Sequence, residues 1–478
     1  MNLNWINYPL DKLVYVLNGF AFKSKKYTDN GIRVIRIANV QDGYIEDDKP
    51  VFYPLDAQEE IENYMLNNGD LLMSLTGNVG RVAIMSKDML PAALNQRVAC
   101  LRVKDSSIVN TKYLFYYFRQ YSFQKQSVDN SKGTAQLNMS TEWLKKYEIK
   151  LPPLAEQHRI VERIESLFSQ LDEARDKAQE ALENIHTWKD AIYHSVFRGE
   201  YTSKRDLDSI KEQLSEIYDI RDSLIKQKVV KKAKVLPVSD TDTIQDYSTN
   251  WISVKLGEIA FVTKLAGFEY TKYIELTDKG DVPVVRAQNV RKGYLDLNNL
   301  LYIDSGTSEL LERSSLHKPS ILITFIGAGI GDVCVFDEKE RFHLAPNVAK
   351  VEPFINDRND LIEIRYILHY LLSHFGQAEI FKSMKATAQP SLSMETIRDI
   401  IIPIPHIDEQ KTIVRVLDKV IDIESNMSSE IESVKRQIDA IKKSILAKAF
   451  RGELGTNDPE DESAIELLKR VIDDSQDK

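Results

Sequence analysis

Several short runs in this chain set cations beside side-chain amides. Lys23-Ser24-Lys25-Lys26-Tyr27 is a basic cluster with an aromatic, and Asn95-Gln96-Arg97 puts two amides next to a guanidinium. Lys132-Gly133-Thr134-Ala135-Gln136-Leu137-Asn138 offers amides beside an ammonium, and Asn78 and Arg81 flank a glycine turn. A carboxamide carries a donor and an acceptor side by side and fits adenine; a guanidinium fits guanine. Lysines mainly hold phosphates. Further along come Lys264, Lys272 and Tyr273, then Lys382, Lys385 and Gln389. Each of these residues alone is equally at home in a solvated loop, so the pattern counts for more than any member.

Catalytic patterns are missing. No Gly-Lys-Ser/Thr follows a glycine run, no HExxH occurs among the scattered histidines, and no Asn/Asp-Pro-Pro-Tyr/Phe tetrad is present. Gly327-Ala328-Gly329-Ile330-Gly331 starts like a dinucleotide fingerprint, but Asp332 stands where the third glycine belongs and a strand-like run follows. A tight hairpin fits better, and Thr76-Gly77-Asn78-Val79-Gly80 supports it, since both loops lie between strand-like runs. Glu148-Ile149-Lys150 matches half of a metal-nuclease motif and reads as a solvated strand end. These absences favour a binding protein, with no catalytic or metal-ligating residue to name.

The elements that would position the polar runs come in duplicate. Asn4-Trp5-Ile6 recurs as Asn250-Trp251-Ile252, and Arg36, Asn39, Val40, Gly43 and Tyr44 recur as Arg286, Asn289, Val290, Gly293 and Tyr294. Thr134-Ala135-Gln136 recurs as Thr387-Ala388-Gln389, and the offset of 253 then holds without a gap to the Phe-Arg-Gly-Glu closures at Phe197–Glu200 and Phe450–Glu453. Repeats this long are whole modules, each a globular block followed by a helical block. The globular blocks read as mixed α/β. Val34–Ile37, Asp70–Ser74, Arg81–Met85, Val282–Val285, Ser320–Phe325 and Asp332–Phe336 are strands. Lys112–Tyr121 and Ile362–Ser373 are helices. The polar loops differ between copies while the apolar frame matches.

Each helical block carries a heptad. Apolar residues step by four and three through Ile160, Ile164, Leu167, Leu171, Ala174, Ala178, Ala181, Ile185, Trp188 and Ile192. The second copy has Ile413, Leu417, Val420, Glu424, Met427, Ile431, Val434, Ile438, Ile441 and Ile445, with Glu424 the one departure. A seam over these 33 residues is about 48 Å long and needs a partner. The other copy is the nearest candidate, paired antiparallel, with Ala174, Ala178 and Ala181 allowing close approach. A further helix is expected at about Ser203–Lys232, then a polar linker, and a tail helix after the acidic Asp458–Glu462.

Composition sets bounds. The 478 residues are 43% hydrophobic and 28% charged, with net charge −9. Residues 1–150 carry +3, 151–250 carry −4, 251–400 carry −3 and 401–478 carry −5. A uniformly basic nucleic-acid binder is excluded; one with local basic patches is not. Cys100 and Cys334 form no CxxC pair, which points to a reducing compartment. Met1–Leu10 lacks the features of a signal peptide, and the longest apolar stretch, Ile321–Gly331, is too short to span a bilayer. A cytoplasmic protein with no membrane role is expected.

With both copies in view, the chain resembles the specificity subunits of type I restriction–modification enzymes. The carriers are Leu151-Pro152-Pro153-Leu154-Ala155-Glu156-Gln157 and Ile404-Pro405-His406-Ile407-Asp408-Glu409-Gln410, each opening a long helix, with the Phe-Arg-Gly-Glu closures and the Asp458–Leu468 tail. His406 replaces the second proline. The resemblance implies an α/β protein with two similar target-recognition domains (1–150 and 236–402) and two helical spacer regions (151–235 and 403–478) whose long helices form an antiparallel coiled coil. It implies that each domain reads half of a bipartite, asymmetric site in double-stranded DNA while the helices set the spacing. It also implies docking of two methyltransferase subunits, joined by restriction subunits that translocate and cleave DNA. The subunit itself would be non-catalytic and hold no cofactor; S-adenosylmethionine, ATP and magnesium would belong to its partners. A coiled-coil scaffold without DNA specificity is the competing reading. A single-chain restriction enzyme would need the missing motifs.

Overall fold

A computed structural model describes residues 5–133, 136–201, 206–239, 242, 248, 250–356, 361–382, 391–454, 458, 460–464 and 466. The chain forms two compact units, Met1–Gln179 with Ile431–Lys478, and Glu180–Glu430. Each therefore contains one globular block, part of the first long helix and part of the second.

In the first unit an antiparallel sheet runs in the order Val14–Asn18, Val98–Val103, Leu71–Ser74, Val82–Ile84. Side chains alternate across a strand. Leu71, Met73, Ala99 and Leu101 enter one core, while Leu72, Ala83, Val98 and Cys100 enter another. Both faces are covered, which is why Leu71–Ser74 reads as an unbroken apolar run. Three short strands, Phe52–Tyr53, Ile32–Ile35 and Ala92–Leu94, make a second sheet. Ile6–Pro9 pairs antiparallel with Glu148–Leu151. Ile149 is buried there and its neighbours Glu148 and Lys150 are exposed, as a strand end requires.

The second unit repeats the plan. Its sheet order is Ala260–Lys264, Val348–Pro353, Ser320–Thr324, Val333–Phe336. Ile321 and Ile323 face one core, and Leu322 and Cys334 face the other. Both cysteines are free and buried at equivalent places, and burial pushes both thiols up. They act as small apolar groups.

The repeated motifs are structural latches. The fully buried Gln157 accepts from the Asn110 N–H at 2.9 Å and donates to the carbonyls of Ile108 and Pro152, both at 3.0 Å. Gln410 does the same in the other unit, accepting from the Glu363 N–H and donating to the Pro405 carbonyl, both at 2.9 Å. Each glutamine thus ties its globular block to the start of its long helix. The closures end the helices: Gly199 (φ +74°) and Gly452 (φ +75°) take the left-handed cap conformation. The phenylalanines ahead of them cross over. Phe450 packs on Tyr113 and Tyr117 of the first block, and Phe197 on Tyr366 and Tyr370 of the second. Each block therefore holds the beginning of its own helix and the end of the other.

The long helices, Leu154–Phe197 and Ile407–Ala449, pair antiparallel within each unit. Arg175 meets Asp439 and Lys442 meets Asp172 in the first unit; Lys189 meets Glu424 at 2.7 Å in the second. The covered line runs Val161, Ile164, Phe168, Leu171, Arg175, Ala178, Leu182, Ile185, Lys189, Ile192, Val196. Half of the expected seam lies on it. Ile164, Ile431, Ile438 and Leu417 are buried, and Leu171, Ala178 and Ile445 are half-buried. The other column is displaced by one residue. Ala174 is exposed, Trp188 is 41% exposed and Met427 is 38% exposed, so these three are not seam residues. Ala181 is half-buried beside the seam. Arg175 and Lys189 take the places expected for Ala174 and Trp188, laying their stems along the interface and pairing their charges at its rim. Glu424, whose counterpart in the first copy is the apolar Leu171, pairs with Lys189 and, at 2.8 Å, with His186.

The helix expected at Ser203–Lys232 spans Leu207–Lys226. In the tail, Ala464 is buried and Asp461 pairs with Arg159; Ile465, Leu467 and Leu468 lie outside the described residues.

Candidate nucleic-acid interface

Antiparallel pairing brings distant loops to one end of the first sheet. Strand ends Asn18, Ser74, Val82 and Val98 lie there. The loops leaving them carry Lys23, Lys25 and Lys26, then Asn78 and Arg81, then Gln96 and Arg97. Backbone bonds tie these loops together: the Leu75 N–H donates to the Arg97 carbonyl, and the Gln96 N–H to the Phe20 carbonyl, both at 3.0 Å.

The glycine loop is a hairpin turn, with Gly77 and Gly80 at φ +72° and +81°. A Cβ on Gly80 would sit 2.7 Å from the Ser127 hydroxyl, so only glycine fits. The buried Ser74 hydroxyl pins the loop, donating to the Asn78 carbonyl at 2.5 Å and accepting from the Arg81 N–H at 3.0 Å. Gln124 donates to the Gly80 carbonyl at 2.7 Å. Residues 136–139 fold onto the loop: the Gly77 N–H donates to the Leu137 carbonyl and the Met139 N–H to the Leu75 carbonyl, both at 2.8 Å. Lys132 and Asn138 bond to each other through their backbones, with both side chains exposed. Thr134 and Ala135 lie outside the described residues.

Asn78, Arg81 and Gln136 line one open cavity of about 420 Å³. Its far wall is the turn Ile37–Glu46, where the Arg81 guanidinium donates to the Gln41 side-chain oxygen at 2.6 Å. The Gln41 amide donates in turn to Glu46 and to the Ala38 carbonyl, both at 2.9 Å. The turn is built by buried Asn39, which accepts from the Arg36 N–H and donates to the Glu46 carbonyl. Gln41, Ser74 and Gln124 escaped the sequence reading; the matching Arg36-Asn39 and Gly43-Tyr44 pairs were the available signal. Lys23 to Lys26 stand apart from this cavity. Lys26 pairs with Glu60 at 3.2 Å and lies over the Tyr53 ring, and the Glu60 hydrogen bond raises its pKa.

The second unit has the same frame with different chemistry. Asn289 accepts from the Arg286 N–H and donates to the Asp296 carbonyl, and Gln377 donates to the Gly331 carbonyl at 3.2 Å. The Asp332 carbonyl accepts from the Thr324 N–H as the Arg81 carbonyl accepts from Ser74. A carboxyl thus replaces the guanidinium, and Arg291 replaces Gln41. Burial pushes the Asp332 carboxyl up, against the pull of nearby Lys292 and Arg291. Lys264 lies over the Phe325 ring at 4.7 Å and Lys272 over Tyr273 at 4.9 Å, both near the same sheet end. Lys382 ends the helix His374–Lys382, 3.5 Å from Glu379. Lys385 and Gln389 lie outside the described residues.

Among the described residues no group of three or more His, Cys, Asp or Glu could hold a metal ion. Nor is any described helix long and apolar enough to cross a membrane.

The model of the type I restriction modification DNA specificity domain matches residues 2–184 and 248–435. The chain belongs to that family, with one match on each copy of the duplication. It is similar to the specificity subunit of the type I restriction enzyme EcoBI of Escherichia coli, 26% identical over 94% of this chain and 86% of that one. It is 20% identical to the EcoKI specificity subunit of Escherichia coli strain K12, over 94% and 89%. The HsdS subunit of Thermoanaerobacter tengcongensis shares the fold, with TM-score 0.50 and 15% identity over 94% of this chain and 97% of that one. A chain from a structure of type I R-M complex assembly and conformational transition reaches TM-score 0.61, at 16% identity over 94% and 98%.

Proposed function

We propose that this chain is the non-catalytic DNA-reading subunit of a type I restriction–modification complex. Each unit reads one half of a bipartite, asymmetric duplex target through the loops at its sheet end, and the paired helices set the gap. Two methyltransferase subunits dock on the helical regions, and restriction/translocase subunits join them. S-adenosylmethionine, ATP and magnesium sit in those partners. One observation carries this reading: two matching frames present different chemistry at one equivalent place, Arg81 with Gln41 in one and Asp332 with Arg291 in the other. A scaffold has no use for such a difference; a reader of two unlike half-sites needs it. The first long helix, 44 residues or about 66 Å, is of the order of two DNA turns of roughly 34–36 Å. Deleting one heptad from each long helix tests the ruler. The spacing between half-sites changes and the half-sites stay the same; altered half-sites would contradict it.

A further inference from the structure

The second unit carries a basic segment outside its sheet-end loops. Lys226, Lys228, Lys231, Lys232 and Lys234 follow one another within nine residues of a chain whose net charge is −9. All five are exposed, and among the described residues none makes an ion pair. Lys228 holds a left-handed conformation (φ +61°) that ends the helix Leu207–Lys226 and turns the chain out of it. From there to Ser239 the backbone is neither helix nor strand. It runs beside the helical turn Leu256–Ile259 that leads into the edge strand Ala260–Lys264: a Cβ on Gly257 would lie 2.8 Å from the Val235 side chain.

Between segment and sheet lies an open cavity of about 710 Å³, lined by Lys231, Lys232, Lys234, Arg221, Arg313 and Arg398. Two acids line it as well: Asp222, whose charge is paired, and Glu258, whose carboxylate keeps its charge and is outnumbered by the six cations of the lining. Asp222 pairs with Arg221 at 2.9 Å, and Glu258 accepts the Lys255 N–H at 2.8 Å. Arg398 donates to the Val262 carbonyl and keeps its charge uncompensated by that bond. Arg313 reaches Glu269, 2.7 Å away, on the short helix Gly267–Tyr273 that also bears Lys272 and Tyr273. Arg313 thus sets the cavity next to the helix that carries Lys272 and Tyr273 in the same unit.

We infer that Lys231, Lys232 and Lys234 form a phosphate-binding track that holds the DNA backbone beside the second half-site. This rests on the DNA-reading role proposed above and adds a sequence-independent contact to it. Exposed lysines that pair with no described acid, on an irregular segment, suit phosphates, which need charge and no fixed geometry. They carry no base information, so they raise affinity for every duplex alike.

The test replaces all three lysines by glutamine (K231Q/K232Q/K234Q) in the full chain, co-expressed with its modification subunits. Binding to a target-bearing duplex and to a scrambled one is followed as salt rises. Each lost phosphate contact flattens log K against log[salt] by about 0.9, so the slope should fall by roughly 2.7 on both duplexes, with their affinity ratio unchanged. The arginine variant K231R/K232R/K234R keeps the wild-type slope. An unchanged slope in the glutamine variant, while wild type still prefers its target, overturns the track alone. A wild-type complex without preference between the duplexes overturns the DNA-reading role, and the slope comparison still decides the lysines. A glutamine variant that no longer co-purifies with the modification subunits overturns the track in favour of a protein-docking surface.

Discussion

Arg81 and Gln41, 40 residues apart, meet side chain to side chain at 2.6 Å across the cavity beneath the glycine loop. The guanidinium is half-buried and held on one side, which leaves its remaining N–H groups directed by the frame. A preorganised donor of this kind discriminates better than a free surface arginine, because less side-chain freedom is lost on binding.

Arg81→Ala is therefore expected to relax one half-site and leave the other unchanged. The loss should be about 1–3 kcal/mol at the affected position. Methylated-motif sequencing of cells carrying the variant reads this directly. Equal weakening of both half-sites would show that Arg81 supports assembly instead.

The glutamine latches predict a stability effect without a change in target. Gln157→Leu leaves the Asn110 N–H and the Ile108 carbonyl without their partner in a buried place. Each orphaned group costs about 1–3 kcal/mol. Thermal unfolding of the full chain should shift to lower temperature, and Gln410→Leu should act alike on the second unit.

The displaced seam predicts opposite outcomes for two alanines. Ala178→Glu puts a charge into the covered line and should cost about 1–3 kcal/mol, whereas Ala174→Glu, on an exposed position, should stay within about 0.5 kcal/mol. Urea unfolding of the two variants separates them. Equal effects would restore the purely apolar heptad.

His369 is fully buried between the Tyr193 hydroxyl at 2.9 Å and Asp418 at 2.8 Å. Burial alone would push the Asp418 carboxyl up, but the His369 hydrogen bond and the charges of His369 and Arg365 hold it below its usual 3.8. A lowered native pKa contributes stability that is present above the unfolded value and lost as pH falls through the native one. The second unit should thus lose stability below about pH 4, and Asp418→Asn should flatten that loss in acid-unfolding curves.

Much of this was legible because duplication exposes it. The strands Leu71–Ser74 and Ser320–Thr324, the glycine hairpins and the antiparallel helices all follow from apolar runs, turn residues and heptads. The seam was half legible. A pattern of apolar residues selects Ala174 and Trp188, whereas the fold covers the stems of Arg175 and Lys189, whose partners Asp439 and Glu424 are distant in sequence. Asn78, Arg81 and Gln136 could be named from composition, and their meeting place could not. Gln41 was invisible for the same reason: its role depends on the turn Ile37–Glu46 docking beside Arg81, where the Gly43 N–H donates to the Val82 carbonyl. The Glu-Gln motif was legible as a family mark, but its meaning is a hydrogen-bond latch that only the fold displays.

The most direct test of the central claim is base-modification sequencing of host DNA with and without this gene, in cells that express its modification subunits. A bipartite motif of two unlike half-sites, methylated in the presence of the gene and lost on deletion, is the predicted result. An identical set of methylated motifs in both strains would contradict the DNA-reading role.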